Sequence, residues 1–176
     1  MTKIVSPQEF VVAFHGVVCR RESDLVAHWW NAKEYSELFL AADTGVLSEV
    51  AGTLGLQYWR EYLKVDAVFY ERVEEVDSFA VTIEHENDAK TSRWEANKLS
   101  LFNTPLKVLI TYPKKGCSEA QLLRSYAEVL RLSDVFRDFS SLRRQLVAFA
   151  VENNGSVDWR YHAYTDEGFV QAGVTS

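Results

Sequence analysis

Residues 79–87 read Phe79-Ala80-Val81-Thr82-Ile83-Glu84-His85-Glu86-Asn87, and the fold turns on how this stretch is paired. Phe79, Val81 and Ile83 alternate with Ala80, Thr82, Glu84 and Glu86, the period-two pattern of a β-strand whose successive side chains point to opposite faces. Glu84 and Glu86 therefore share a face, and His85 packs or bonds on the other. Upstream, in the run from Tyr62 to Tyr70, Leu63, Val65, Ala67 and Phe69 alternate with Lys64, Asp66, Val68 and Tyr70, so Asp66 is the one acid inside a second strand. The charged stretch from Glu71 to Ser78 suits a hairpin loop. Centred near Glu75, that loop sets Asp66 opposite Glu84 with side chains about 5 Å apart. Asp66, Glu84 and Glu86 then converge. Carboxylates so close repel one another, so they call for a compensating cation or open solvent, and oxygen donors of this kind suit a hard divalent ion such as magnesium. A solvated face whose glutamates merely fall in phase is the plainer alternative.

Around this pair of strands the chain reads as alternating helices and strands. Ser6-Pro7-Gln8-Glu9 has the form of a capping box with Pro at the first helical position, followed by an apolar stripe of Phe10, Val11, Phe14, Val17 and Val18. Ser23-Asp24 opens a second helix expected to run to Leu40, and Thr44 is placed to cap a third that carries Val46, Leu47, Val50 and Leu54. Trp29 and Trp30 point about 100° apart on such a helix, so only one can face the core. Ser92 to Leu101 is a short helix ended by Pro105, and Leu106 to Tyr112 is nearly continuous apolar sequence, as expected of a central strand covered on both faces. Ser118-Glu119 begins a helix reaching Leu132, Asp134 to Arg144 is read as a further short helix, and Gln145 to Val151 and Val157 to Tyr164 as strands. Asn153-Asn154-Gly155 signals a hairpin, since Asn and Gly tolerate positive φ.

With 176 residues and 47% apolar content, the chain supports one sizeable core, and no Pro-, Gly- or Ser-rich linker divides it. A single domain over 1–176 is expected, with a helical part over 6–58 and a core over 60–165. No apolar run approaches the ~20 residues that span a bilayer, and the N-terminus lacks the apolar block of a signal peptide, which points to the cytoplasm. Cys19 and Cys117 form no C-x-x-C pair, so no disulfide framework or structural zinc site is indicated. The four histidines show no zincin spacing, and the pair His15 and Cys19, four apart on a helix, is read as a core contact. Neither a phosphate-binding glycine loop nor a G-x-S-x-G elbow is present. A net charge of −6 argues against broad, sequence-independent binding of nucleic acid, leaving local contacts from Arg20-Arg21, Lys114-Lys115 and Arg143-Arg144.

Asp66 on one strand, Glu84-His85-Glu86 ending the next, a helix at Trp94-Glu95-Ala96-Asn97-Lys98-Leu99 and a third strand at 105–112 together resemble the PD-(D/E)xK nuclease superfamily. The resemblance covers residues 45–113 and implies a restriction-endonuclease-like three-layer α/β fold, its central mixed sheet flanked by helices. It also implies that Asp66 and Glu84 bind magnesium or manganese at the sheet edge and promote attack on a phosphodiester of DNA, with RNA as the alternative substrate. Val65 stands where the family name has Pro, and Glu86 where Lys is usual. Glu86 is then a ligand or a water-orienting base, and Lys98, on the neighbouring helix, replaces the strand lysine. Glu49, on the helix before the Asp66 strand, is a candidate further ligand by the same resemblance. Two functions follow: a metal-dependent nuclease, or a catalytically silent member of the same fold that binds a partner protein, a second copy of itself or a larger assembly. No membrane partner is expected.

Overall fold

In the computed structural model, residues 3–114, 116–133 and 144–174 are described. Thirteen elements follow in chain order: helices α1 (Pro7–Arg20), α2 (Glu22–His28), α3 (Ala32–Leu40) and α4 (Val46–Thr53); strands β1 (Gln57–Tyr62), β2 (Val65–Val73) and β3 (Val76–Glu86); helix α5 (Ser92–Ser100); strand β4 (Leu106–Thr111); helix α6 (Glu119–Ser133); and strands β5 (Gln145–Asn153), β6 (Ser156–Thr165) and β7 (Gly168–Ala172). The architecture is α/β. The strands form one seven-stranded mixed sheet in sequence order, β1 to β7. β3, β4 and β5 run parallel, and all other neighbours are antiparallel. Parallel neighbours need a crossover, which α5 supplies between β3 and β4 and α6 helps to supply between β4 and β5.

Alternation along the strands sends two sets of side chains to two helical layers. Ala67, Phe69, Ile83, Val108, Ile110 and Ala148 meet the apolar stripes of α1 to α4 in the larger core. Leu109, Val147 and Phe149 meet Ala96, Leu99 and Tyr126 of α5 and α6 in the smaller one. β4 is the middle strand and is buried along its whole length. The α1 capping box forms as expected, with Glu9 N donating to Ser6 Oγ (3.2 Å) and Ser6 N to Glu9 Oε2 (2.8 Å).

Several expectations are corrected. The helix expected from Ser23 to Leu40 is two helices, because the chain turns at Trp29–Asn31 and Asn31 caps α3 through Glu34 N (3.3 Å). Trp29 packs against the larger core while Trp30 is 85% exposed. The cap of α4 is Gly45 rather than Thr44, without a side-chain bond. The run from Tyr62 to Tyr70 is not one strand, since Leu63 and Lys64, both at positive φ, turn the chain between β1 and β2, and β1 begins inside the part expected to be helical. The Glu71–Ser78 loop shrinks to Glu74 and Glu75, again at positive φ, between paired Val73 and Val76. The helix expected over 134–144 falls, but for Arg144, outside the described residues. No helix among the described residues is long and apolar enough to cross a membrane.

Candidate functional site

The register of β2 on β3 decides which side chains meet. Near the turn the pairs are Val73↔Val76 and Tyr70↔Phe79, a register that, continued, would bring Asp66 opposite Ile83. It does not continue. A bulge at Phe69/Tyr70 leaves Ala80 as an extra residue in β3, and beyond it the pairs are Phe69↔Val81, Val68↔Thr82 and Ala67↔Ile83. Extended by one, that register sets Asp66 against Glu84. A one-residue shift moves every side chain to the other face, so the bulge is what brings the two carboxyls to the same side. Asp66 is the second residue of β2 and Glu84 the third from the end of β3, both away from the outer strands of the sheet, not at its edge.

Across this face lies α5. Its residues Ser92, Ala96 and Leu99 form the buried stripe, and Glu95 and Lys98, one turn apart, flank it on the side of β3. Lys98 Nζ stands 2.8 Å from Glu84 Oε1 and 2.5 Å from Glu95 Oε2. These are ion contacts off the hydrogen-bonding angle, since neither oxygen has a partner of good hydrogen-bond geometry. Glu84 is 1% exposed and Lys98 keeps about a third of its side-chain surface in solvent. Asp66 Oδ2 accepts from His85 N at 2.8 Å, which fixes its carboxylate against the end of β3.

Burial dominates the electrostatics. It pushes the Glu84 carboxyl up to about 9, against the pull of Lys98 and with the help of the Asp66 charge. Asp66 is also raised, by burial first, while its bonds from His85 N and from the Glu84 side chain pull the other way. Burial thus drives both carboxyls toward the protonated form. For Lys98 burial acts against the charge, but Glu84 and Glu95 outweigh it and its pKa lies above the ordinary lysine value.

The structure brings together Asp66, Glu84 and Lys98, and adds Glu95. It does not bring Glu86 or Glu49 to them. Glu86 follows Glu84 on the same face, but its Oε1 accepts from Asp88 N (2.8 Å) and closes the turn after β3. Glu49 sits on α4, in the layer against the opposite sheet face, paired with Arg21 (3.1 Å) and Arg20 (3.7 Å). Glu95 escaped the sequence reading, although its signal was present in the Glu95-x-x-Lys98 spacing on a helix. Among the described residues no three His, Cys, Asp or Glu side chains gather closely enough to hold a metal by themselves.

On the other face, His85 is buried among aromatic rings. It stacks on Phe39 at 4.6 Å between centroids, and its Nε2 is 2.6 Å from the Tyr112 hydroxyl. Burial lowers its pKa to about 3, so it is neutral. Cys19 Sγ lies 3.4 Å from His15 Nε2, and His15 Nδ1 3.0 Å from the Tyr161 hydroxyl; burial and Glu22 raise the thiol, which leaves it a poor nucleophile.

No protein-family model matches this chain, and no curated protein matches its sequence.

Proposed function

We propose that this protein is a metal-dependent nuclease that hydrolyses phosphodiester bonds in DNA, on a restriction-endonuclease-like variant of its α/β fold. The observation that carries the proposal is the facing pair Asp66 and Glu84 with Lys98 Nζ 2.8 Å from Glu84. The succession β2, β3, α5, β4 is the one on which the resemblance to PD-(D/E)xK nucleases rests. Two carboxylates are enough for magnesium, which commonly keeps several waters and binds through one or two carboxylates plus the substrate phosphate. The donor set is all oxygen, as a hard cation requires, so the residues fit the metal.

When bound, the ion would supply an activated water and offset charge on the phosphate. Asp66 and Glu84 would hold it, Glu84 releasing its proton as it does so. Lys98, freed in part from Glu84, would direct its ammonium toward the phosphate oxygens, where negative charge grows during attack. Glu95 positions Lys98. Glu86 shapes the turn that ends β3, and Glu49 has no part in the site.

A catalytically silent member of the fold, serving as an assembly subunit, is the second reading. It is favoured by one observation: Lys98 already pairs with both Glu84 and Glu95, so part of the cluster's negative charge is offset without a metal. An assay with plasmid, linear duplex and single-stranded DNA, each with magnesium, manganese or chelator, separates the two. The nuclease shows cleavage that needs the metal and vanishes in Asp66→Asn. Cleavage unchanged in that variant, or none on any substrate, overturns the proposal.

A further inference from the structure

The carboxyl ends of the three parallel strands open into a cavity of about 980 Å³ that the Asp66–Glu84 cluster does not use. Open sheets bind ligands at this end, in the crevice beyond the strand termini, and the volume is at the upper end of the ~300–1,000 Å³ usual for ligand pockets. Its lining combines flat aromatic surface with a few polar groups. Trp29 and Trp30 come from the α2–α3 connection, Tyr35 from α3 and Tyr112 from the end of β4. Trp30 leaves 85% of its surface open to solvent, a large exposure for an indole on the wall of a cavity. The Tyr35 hydroxyl, buried against Tyr112, has no hydrogen bond of good geometry. Asn87 stands at the junction with β3; its Nδ2 donates to Ser36 Oγ (2.7 Å), which leaves its carbonyl oxygen to accept.

The charges are nearly balanced but not equivalent. Arg160 is held by Glu119 at 2.8 Å, and the Glu152 carboxylate accepts from Gly155 N at 2.9 Å. Lys114, exposed at the rim, has no carboxylate partner among the described residues. Stacking surface, an acceptor and one uncommitted cation are the three features that a nucleotide matches, through its base plane, its amino or imino edge and its phosphate. Asn87 follows Glu84 by three residues on the same strand end, a reach of about 10 Å.

We infer that this cavity receives a nucleobase of a single-stranded or unpaired segment, stacked on Trp30, with the adjoining phosphate at Lys114. The inference rests on the nuclease reading for its biological setting, in which the substrate is a DNA strand.

The test is binding of deoxynucleoside monophosphates and of a short single-stranded oligonucleotide, without metal, followed by quenching of tryptophan fluorescence. It is done in a Trp59→Phe, Trp94→Phe background to remove the other exposed indoles. Saturable quenching is expected, weakened about tenfold or more in Trp30→Ala, the scale of one lost base stack, and less in Lys114→Ala. Because Trp30 is exposed, its replacement leaves the fold intact, which thermal unfolding verifies. Quenching that saturates in a protein without nuclease activity keeps the pocket and sinks the nuclease reading. Metal-dependent cleavage whose KM and site preference are the same in wild type and Trp30→Ala, with no quenching by any nucleotide, overturns the pocket and leaves the nuclease standing. Self-association abolished by Trp30→Ala, in place of nucleotide binding, overturns it in favour of a contact between copies of this chain.

Discussion

Glu84 and His85 are neighbours in sequence and opposites in circumstance. Both are buried, both are titratable, and burial drives both toward the neutral form. His85 lies among rings, with Phe39 at 4.6 Å, Tyr112 at 5.3 Å and one hydrogen bond to the Tyr112 hydroxyl, and carries no opposing charge. Glu84 faces Asp66 and has Lys98 at 2.8 Å and Glu95 close behind it. The two faces of β3 therefore serve different ends. The aromatic face holds the sheet to the helices, and the acidic face keeps charge where the fold alone gains little from it.

The largest effect on folding is expected on the aromatic face. Phe39 is fully buried against Phe14, Tyr35, His85 and Trp159. Phe39→Ala should cost about 3–5 kcal/mol in urea unfolding. Lys98→Ala should cost far less stability, because Glu84 already tends to the neutral form and need not be left as a bare charge. On the proposed nuclease reading its effect falls on the reaction, a loss of about 2–4 kcal/mol of transition-state stabilisation, or a hundredfold or more in single-turnover rate. Were Lys98→Ala to unfold the protein as Phe39→Ala does, the division between the two faces would be mistaken. Glu95→Gln should reduce the rate by about tenfold, as for a group that orients a functional residue rather than meeting the substrate.

Protonation offers a smaller and sharper contrast, because the two neighbours act on stability with opposite slopes. Glu84 is raised in the fold from 4.5 to about 9, so its contribution is whole below the unfolded value and is lost as pH rises toward 9. His85 is lowered from 6.5 to about 3, so its contribution is whole above 6.5 and is lost as pH falls toward 3. Without metal, the melting temperature should fall on the alkaline side through Glu84 and on the acid side through His85. Glu84→Gln should flatten only the alkaline limb, and His85→Gln only the acid one. A Glu84→Gln variant that keeps the alkaline fall would show that another group is responsible.

Much of this contrast was legible in residues 79–87, where strict alternation puts Glu84 and His85 on opposite faces. The facing of Asp66 and Glu84 also followed from a hairpin centred near Glu75, yet the structure reaches it by another route. A tighter turn at Glu74–Glu75 and a bulge at Ala80 combine to the same pairing, and neither leaves a signal in residues as ordinary as Glu, Glu and Ala. The Leu63–Lys64 turn was hidden for a like reason, since bulky residues at positive φ are held by the surrounding sheet rather than by local preference. Glu86 shares the face of Glu84 but turns to the backbone of Asp88, a choice set by the end of β3 and not by periodicity. The Trp29–Asn31 break could have been read from Asn31 and Glu34, a cap with its partner three residues on.

The claim that Asp66 and Glu84 form a cation site is tested most directly by calorimetric titration of manganese into the protein at pH 7, repeated in buffers of different ionisation enthalpy. One ion should bind and release about one proton, because the Glu84 carboxyl, held near 9, must ionise to become a ligand. The affinity should rise with pH and be lost in Asp66→Asn. Binding without proton release, binding unchanged in Asp66→Asn, or no binding at all would contradict it.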